Sequence, residues 1–182
     1  MSPRADAVRN RTKVLAAADE VFAELGTDAS TDEVARRAGV GIGTVFRHFP
    51  TKEALLASVF QERLRQVGNE AAAMATSDDP AEAFHELFTK LIGNSRTKQA
   101  LGEALTAAGI DIDDAIAPVR DEVREAIAIL LAKAQEAGGV RGDIGVDEAI
   151  ALLIGASQAS AAVIDISMRA RTLNVFLDGL RP

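Results

Sequence analysis

Three side chains with the chemistry to grip nucleic acid stand close together in this sequence: Thr44, Arg47 and His48. A hydroxyl and an imidazole bond phosphate oxygens and set register. A guanidinium fork meets the edge of a guanine in two places. Little else here does chemistry. The only two histidines, His48 and His85, are 37 positions apart, and there is no cysteine, so disulfides, thiolate zinc sites and cysteine nucleophiles are all excluded. No HExxH, GxSxG or P-loop motif occurs. Gly39-x-Gly41-x-Gly43 looks like a phosphate loop, but it follows a helical pattern rather than a strand and lacks the further glycine. Asp111, Asp113 and Asp114 read as a helix-capping acidic loop rather than a cation site, and Arg141-Gly142-Asp143 as a turn. The chain is expected to be no enzyme, with no cofactor and no metal.

To expose Thr44, Arg47 and His48 together, the chain needs a short helix held at a fixed angle. The spacing supplies one. A first helix is predicted over 10–25, with Val14, Leu15, Ala18, Val21, Phe22 and Leu25 on one stripe and Gly26 at its end. Ser30 and Glu33 form an S-x-x-E capping box before a short helix over 31–38, with Val34, Ala35 and Ala38 inward. Gly39-Val40-Gly41 makes a tight turn with Val40 as its apolar plug. A second short helix runs over 42–49 and stops at Pro50. Its Val45 and Phe49 pack inward, and Phe46 has the option of joining them. Ile42, Thr44, Arg47 and His48 face out. Two short helices on a glycine turn after a longer helix describe a helix-turn-helix, whose second helix enters the major groove.

The rest reads as helix throughout. Thr51 caps a long helix with Ala54, Leu55, Val59, Phe60, Leu64 and Val67 on one face. Pro80 starts another. Further helices are predicted over 97–108, over 115–137 with an interruption near Pro118, over 147–164 and over 167–180, with 109–114 a loop. The fold class is therefore all-α, with about nine helices. Residues 1–52 are expected to form a three-helix DNA-binding domain with a basic N-terminal arm, and 53–182 a second helical domain.

Within 11–56 the sequence resembles the TetR family of bacterial transcriptional regulators: KVLAAADEVFAELG, then STDEVARRAGVGIGTVFRHFPTKEALL. The late segments GGVRGDIGVDEAI and RTLNVFLDGLRP resemble a C-terminal domain of many actinobacterial members. The resemblance implies a DNA-facing set of Thr31, Ile42, Gly43, Thr44, Phe46, Arg47, His48 and Lys52, with Thr31 and Lys52 on phosphates. Two positions depart from the family. Phe46 stands where a tyrosine usually places its hydroxyl on a phosphate, and Gly41 where a serine often caps. Arg36 and Arg37 read as solvated. Arg4, Arg9, Arg11 and Lys13 form an arm that either tracks phosphates or stays a solvated tail.

The resemblance also implies that 53–182 is a helical effector-binding and dimerisation domain, with a pocket for a small apolar effector lined by Phe60, Met74, Phe84, Phe88, Leu91 and Leu105. These residues equally suit an ordinary core. Residues 149–164 hold no charge, and Gly155, Ala156, Ala159 and Ala162 let another helix come close. With Val163 and the final helix's Leu173, Phe176 and Leu177, they make a candidate dimer face, or else complete one chain's own core. The expectation is a cytoplasmic homodimeric repressor, with no signal peptide and no membrane span, that leaves a double-stranded operator when an effector binds. The alternative is a ligand-sensing protein of the same fold with weak or no sequence-specific DNA binding.

The net charge of −7 argues against DNA only until it is divided. Residues 1–52 hold eight Lys+Arg against seven Asp+Glu, and 53–182 hold twelve against twenty. The acidity belongs to the body.

Overall fold

A computed structural model of the chain describes residues 3–93, 95–163 and 165–182. Among them are nine α-helices and no strand: α1 (Pro3–Leu25), α2 (Thr31–Ala38), α3 (Ile42–His48), α4 (Lys52–Met74), α5 (Pro80–Gly93), α6 (Ser95–Ala107), α7 (Ile112–Glu136), α8 (Val146–Ala162) and α9 (Ile166–Asp178). The all-α expectation holds. No helix among the described residues is long and apolar enough to cross a membrane.

By packing, the chain divides into two compact units. The first comprises residues 1–63 and 100–117, the second 64–99 and 118–182. The first unit closes on Val14, Ala18, Val21 and Phe22 of α1, Val34 and Ala35 of α2, Val45 and Phe49, Leu55 and Val59 of α4, and Leu101, Leu105 and Ala115. These apolar side chains are nearly all withdrawn from water, which is the main drive for this unit to form. A partly buried hydrogen bond from Gln61 Nε2 to the Ala115 carbonyl (2.6 Å) joins its two stretches of chain. The second unit buries Phe84, Leu87, Phe88, Leu91 and Ile92 of α5 with Ile127, Leu130, Leu131 and Ala134 of α7, Ala149 and Ala156 of α8, and Leu180.

Three features differ from the sequence reading, each for a local reason. α1 begins at Pro3 instead of near residue 10. Proline suits a first helical position, and Asp6 in the first turn faces the positive helix end while pairing with Arg9. The expected arm is thus helical where described. Met1, Ser2 and the Arg4 side chain lie outside the described residues. α7 begins at Ile112 because Asp111 Oδ1 accepts the amide N–H of Asp113 at 2.7 Å, so part of the expected loop is the helix's own first turn. It then runs through Pro118 without the expected interruption. Burial of Ala115 and Val119 on either side of the proline outweighs the lost backbone bond. On α8, Ala156 is 2% exposed inside its own chain, and the half-buried Leu173, Phe176 and Leu177 of α9 lie against the same core. Ala159 and Val163 are half-buried and Ala162 is exposed. The expected end of α8 at Ile164 lies outside the described residues.

Candidate nucleic-acid interface

The geometry of α3 is set by what flanks it. Ser30 takes an extended conformation, and its hydroxyl accepts the Glu33 amide N–H at 3.2 Å, starting α2. Only half of the expected capping box forms: the Glu33 carboxylate takes Arg36 instead (Nε, 2.9 Å). At the other end Gly39 has φ of +67°, the left-handed region where a side chain is strained. Its turn is closed by Val40 N–H to the Ala35 carbonyl (3.1 Å). Gly41 opens α3 in an extended conformation with no side-chain cap, and Thr44 N–H bonds its carbonyl at 2.8 Å. Thr51 then starts α4, its hydroxyl accepting the Ala54 amide at 3.1 Å.

This framework rotates α3 to a definite phase. Val45 is fully buried and Phe49, at its C-cap, is 2% exposed. The opposite stripe, Gly43, Phe46 and Arg47 at i, i+3 and i+4, faces solvent. The phenyl of Phe46 is 43% exposed, so it does not join the core. Thr44 and His48 flank the stripe half-buried, with the His48 ring 6.3 Å from that of Phe49. Ile42, expected to face out, is half-buried against the first unit's core, because it lies one turn before Val45 and next to the turn. Thr31 and Lys52 are both half-buried at the first turns of α2 and α4.

Charge sorts these residues further. Arg37 is held by three carboxylates: Glu24 (2.8 Å), Glu20 (3.7 Å) and Glu33 (3.9 Å). Its hydrogen bond keeps the Glu24 carboxyl below the usual carboxylate range, and the bond from Arg36 does the same for Glu33. Arg36 and Arg37 are therefore committed to fastening α2 to itself and to α1. Arg47 and Lys52, in contrast, carry no ion pair among the described residues. They are the cations left for an external anion.

Two contacts were missed by sequence reasoning. The Arg11 guanidinium lies 5.2 Å over the Phe49 ring, so one of the expected arm residues steadies the end of α3. Arg63 hydrogen-bonds Asp19, tying α4 to α1. Among the ion pairs, the Glu33–Arg36 and Glu33–Arg37 spacings of three and four gave a local signal; the pairs Arg37 makes with Glu24 and Glu20, and Arg63 with Asp19, join residues 13 to 44 positions apart. Beside Lys52 a cleft of about 410 Å³ is floored by Leu56 and Ala104 and edged by Asp28, Glu53 and Glu103. Of the pocket lining expected from sequence, Phe60 and Leu105 belong to the first unit's core. Met74, Phe84, Phe88 and Leu91 belong to the second, where the Phe84 and Phe88 rings sit 4.7 Å apart.

A short helix with a solvent-facing stripe, a buried back and two uncommitted cations, reached through a left-handed glycine turn, is a helix-turn-helix in its reading geometry. Residues 14–59 match the family of bacterial regulatory proteins of the tetR type, and residues 79–182 match the C-terminal domain of SbtR-like transcriptional regulators. The chain belongs to the TetR family of DNA-binding transcriptional regulators. A TetR transcription regulatory protein from Mycobacterium vanbaalenii is 36% identical, with all of both chains covered and a TM-score of 0.78. The TetR regulator SCO0520 from Streptomyces coelicolor is 34% identical over 94% of this chain and 98% of its own, with a TM-score of 0.73. The transcriptional regulator UidR of Escherichia coli is 26% identical over 97% of this chain and 91% of its own. TetR-family regulators bind DNA operators, act as dimers and bind small-molecule ligands.

Proposed function

We propose that this TetR-family chain is a homodimeric repressor that reads a two-fold operator with α3 and leaves it when a small apolar molecule binds. One observation carries the reading: the only face of α3 open to solvent holds Gly43, Phe46 and Arg47, while Val45 and Phe49 anchor its back. In this reading Arg47 forks onto a guanine edge, and Thr44, His48, Thr31 and Lys52 bond phosphates on either side.

A two-fold operator needs two such helices about one DNA turn apart, ~34 Å, so a second protomer is required. The proposed contact uses the face that α8 and α9 leave open. There Leu152, Ile154, Ile166, Met168 and Val175 are 37–79% exposed, and no charge interrupts residues 149–163. Large exposed apolar side chains clustered on two helices mark an association surface. Of the dimer face expected from sequence, Ala162 is exposed and Ala159, Val163, Leu173, Phe176 and Leu177 are half-buried, so each keeps surface to offer it.

The effector is proposed as apolar because the side chains packed around Phe84, Phe88 and Leu91 in the second unit's interior are themselves apolar. A ligand there must displace packed side chains, which makes it a differential ligand: it favours the conformation in which the core is opened.

Selection of binding sites from random duplex DNA, followed by gel shift over a salt series, tests the proposal. An enriched two-fold site whose affinity falls steeply with salt is expected. Arg47→Ala should lose about 1–3 kcal/mol of discrimination at one base pair per half-site. No enrichment and a flat salt response would instead favour the ligand-sensing protein without sequence-specific DNA binding.

A further inference from the structure

Of the seven phenylalanines, six are buried or half-buried and Phe46 alone is exposed. It stands in the centre of α3, on the same stripe as Arg47 and one turn beyond Gly43. No aromatic ring or cation lies against it among the described residues. Beside Arg47, a phenyl ring that is 43% exposed offers a partner an apolar surface to cover.

The ring narrows what that use can be. Phenyl has no N–H or O–H, so Phe46 cannot bond a phosphate oxygen or a base edge. The major groove offers one apolar feature, the C5-methyl group of thymine. Gly43 improves the fit. The position where its side chain would begin has nothing within 4 Å, so the helix surface there is open, the notch of the missing side chain. A methyl group of the groove can approach the backbone there without meeting a side chain.

We infer that Phe46, with the notch at Gly43, reads a thymine methyl group in the major groove and so helps to set the operator sequence. The inference rests on the DNA-binding function proposed above. Phe46 and Arg47 are consecutive on α3, about 1.5 Å apart along its axis and about 100° apart around it. The thymine read by Phe46 is therefore expected near the guanine read by Arg47. Because 5-methylcytosine presents its methyl group at the same place in the groove, the contact depends on the methyl group and not on the A·T pair that carries it.

The magnitude follows from burial of one methyl group, about 0.8 kcal/mol or a fourfold change in affinity. In a two-fold site the change is about fifteenfold when both half-sites are altered. The test uses the full chain and the duplex it selects from a random library. Each thymine is replaced in turn by deoxyuridine, which removes only the methyl group. One thymine per half-site should show the fourfold loss, near the Arg47-dependent guanine. Changing that pair to C·G should weaken binding, and methylating the new cytosine at C5 should return about fourfold.

Phe46→Ala should bind thymine and deoxyuridine duplexes equally at that position and select sites with the position relaxed. Phe46→Leu, which keeps an apolar side chain, should retain part of the discrimination and guards against misfolding of the alanine variant. Far-UV circular dichroism should show both variants folded. The inference is overturned if wild type ignores every deoxyuridine, if Phe46→Ala keeps the wild-type pattern of sensitivity, or if the variant loses affinity equally for operator and random DNA. If the library yields no operator at all, the DNA-binding function itself fails and this reading falls with it. An operator with no methyl-sensitive thymine removes this inference alone.

Discussion

Gly43→Ala separates what α3 needs to fold from what it needs to bind. Gly43 has no left-handed φ, and a Cβ built there meets no atom within 4 Å. Alanine therefore fits the fold without strain. In a helix it is favoured over glycine by about 0.5–1 kcal/mol, because the unfolded glycine chain has more freedom to lose. For a chain of this length each kcal/mol moves the melting temperature by about 2–4 °C, so a rise of about 1–4 °C is expected. The melt is followed by circular dichroism at 222 nm, since the chain has neither tryptophan nor tyrosine to report by fluorescence. On DNA the same methyl group fills the notch and holds α3 off the groove. An extra methyl group in a close-packed contact costs about 1–3 kcal/mol, which is about 5- to 150-fold in affinity. Fluorescence anisotropy with labelled operator measures it. The reasoning is refuted if the variant binds as tightly as wild type, which would mean that this stripe does not meet DNA. A lower melting temperature would mean that the glycine serves the fold instead.

Lys52→Ala should weaken operator and random DNA alike and flatten the log–log salt slope by about one, read from anisotropy titrations at several salt concentrations. Gly39→Ala places a side chain at φ of +67° and should cost about 1–2 kcal/mol, lowering the melting temperature by about 2–8 °C. Glu24 and Glu33 have folded pKa values depressed by Arg37 and Arg36, so their contribution to stability is full above the ordinary carboxylate range. It is lost as pH falls through the depressed values; Arg37→Met should reduce the acid-side slope of melting temperature against pH. Met168→Glu combined with Val175→Glu, both on the open face of α9, should leave the far-UV spectrum unchanged and give a monomer by sedimentation, where wild type sediments as a dimer.

α2, α3 and the end of α1 were legible almost to the residue because their boundaries are written in local chemistry. Ser30 caps, Gly39 needs a left-handed turn, Pro50 forbids continuation, and Val45 with Phe49 sets the phase of α3. Pro118 misled because a proline's local cost is visible in a sequence and the burial that offsets it is not. The outward side of α8 was illegible for a related reason. In a helix uncharged from residue 149 onward, nothing in composition distinguishes Ala156, buried in its own core, from Ile154, which faces solvent. Ile42 is similar: an apolar residue at the start of a reading helix serves either side, and the turn decided it. The clamp on Arg37 was half visible, since Glu33 lies within one helical turn and Glu20 and Glu24 do not.

The core beneath α3 draws Leu101, Leu105 and Ala115 from a stretch of chain that begins 37 residues after the first stretch ends. On the ribosome, residues 1–63 emerge first and cannot complete that core. At about 5–20 residues per second, the missing stretch follows several seconds later. In that interval the core to which Val45 and Phe49 belong lacks those three side chains. α3 is thus made before residues 100–117, and the core it packs into is complete only once they have arrived. A fragment cut after α4 would keep that core open.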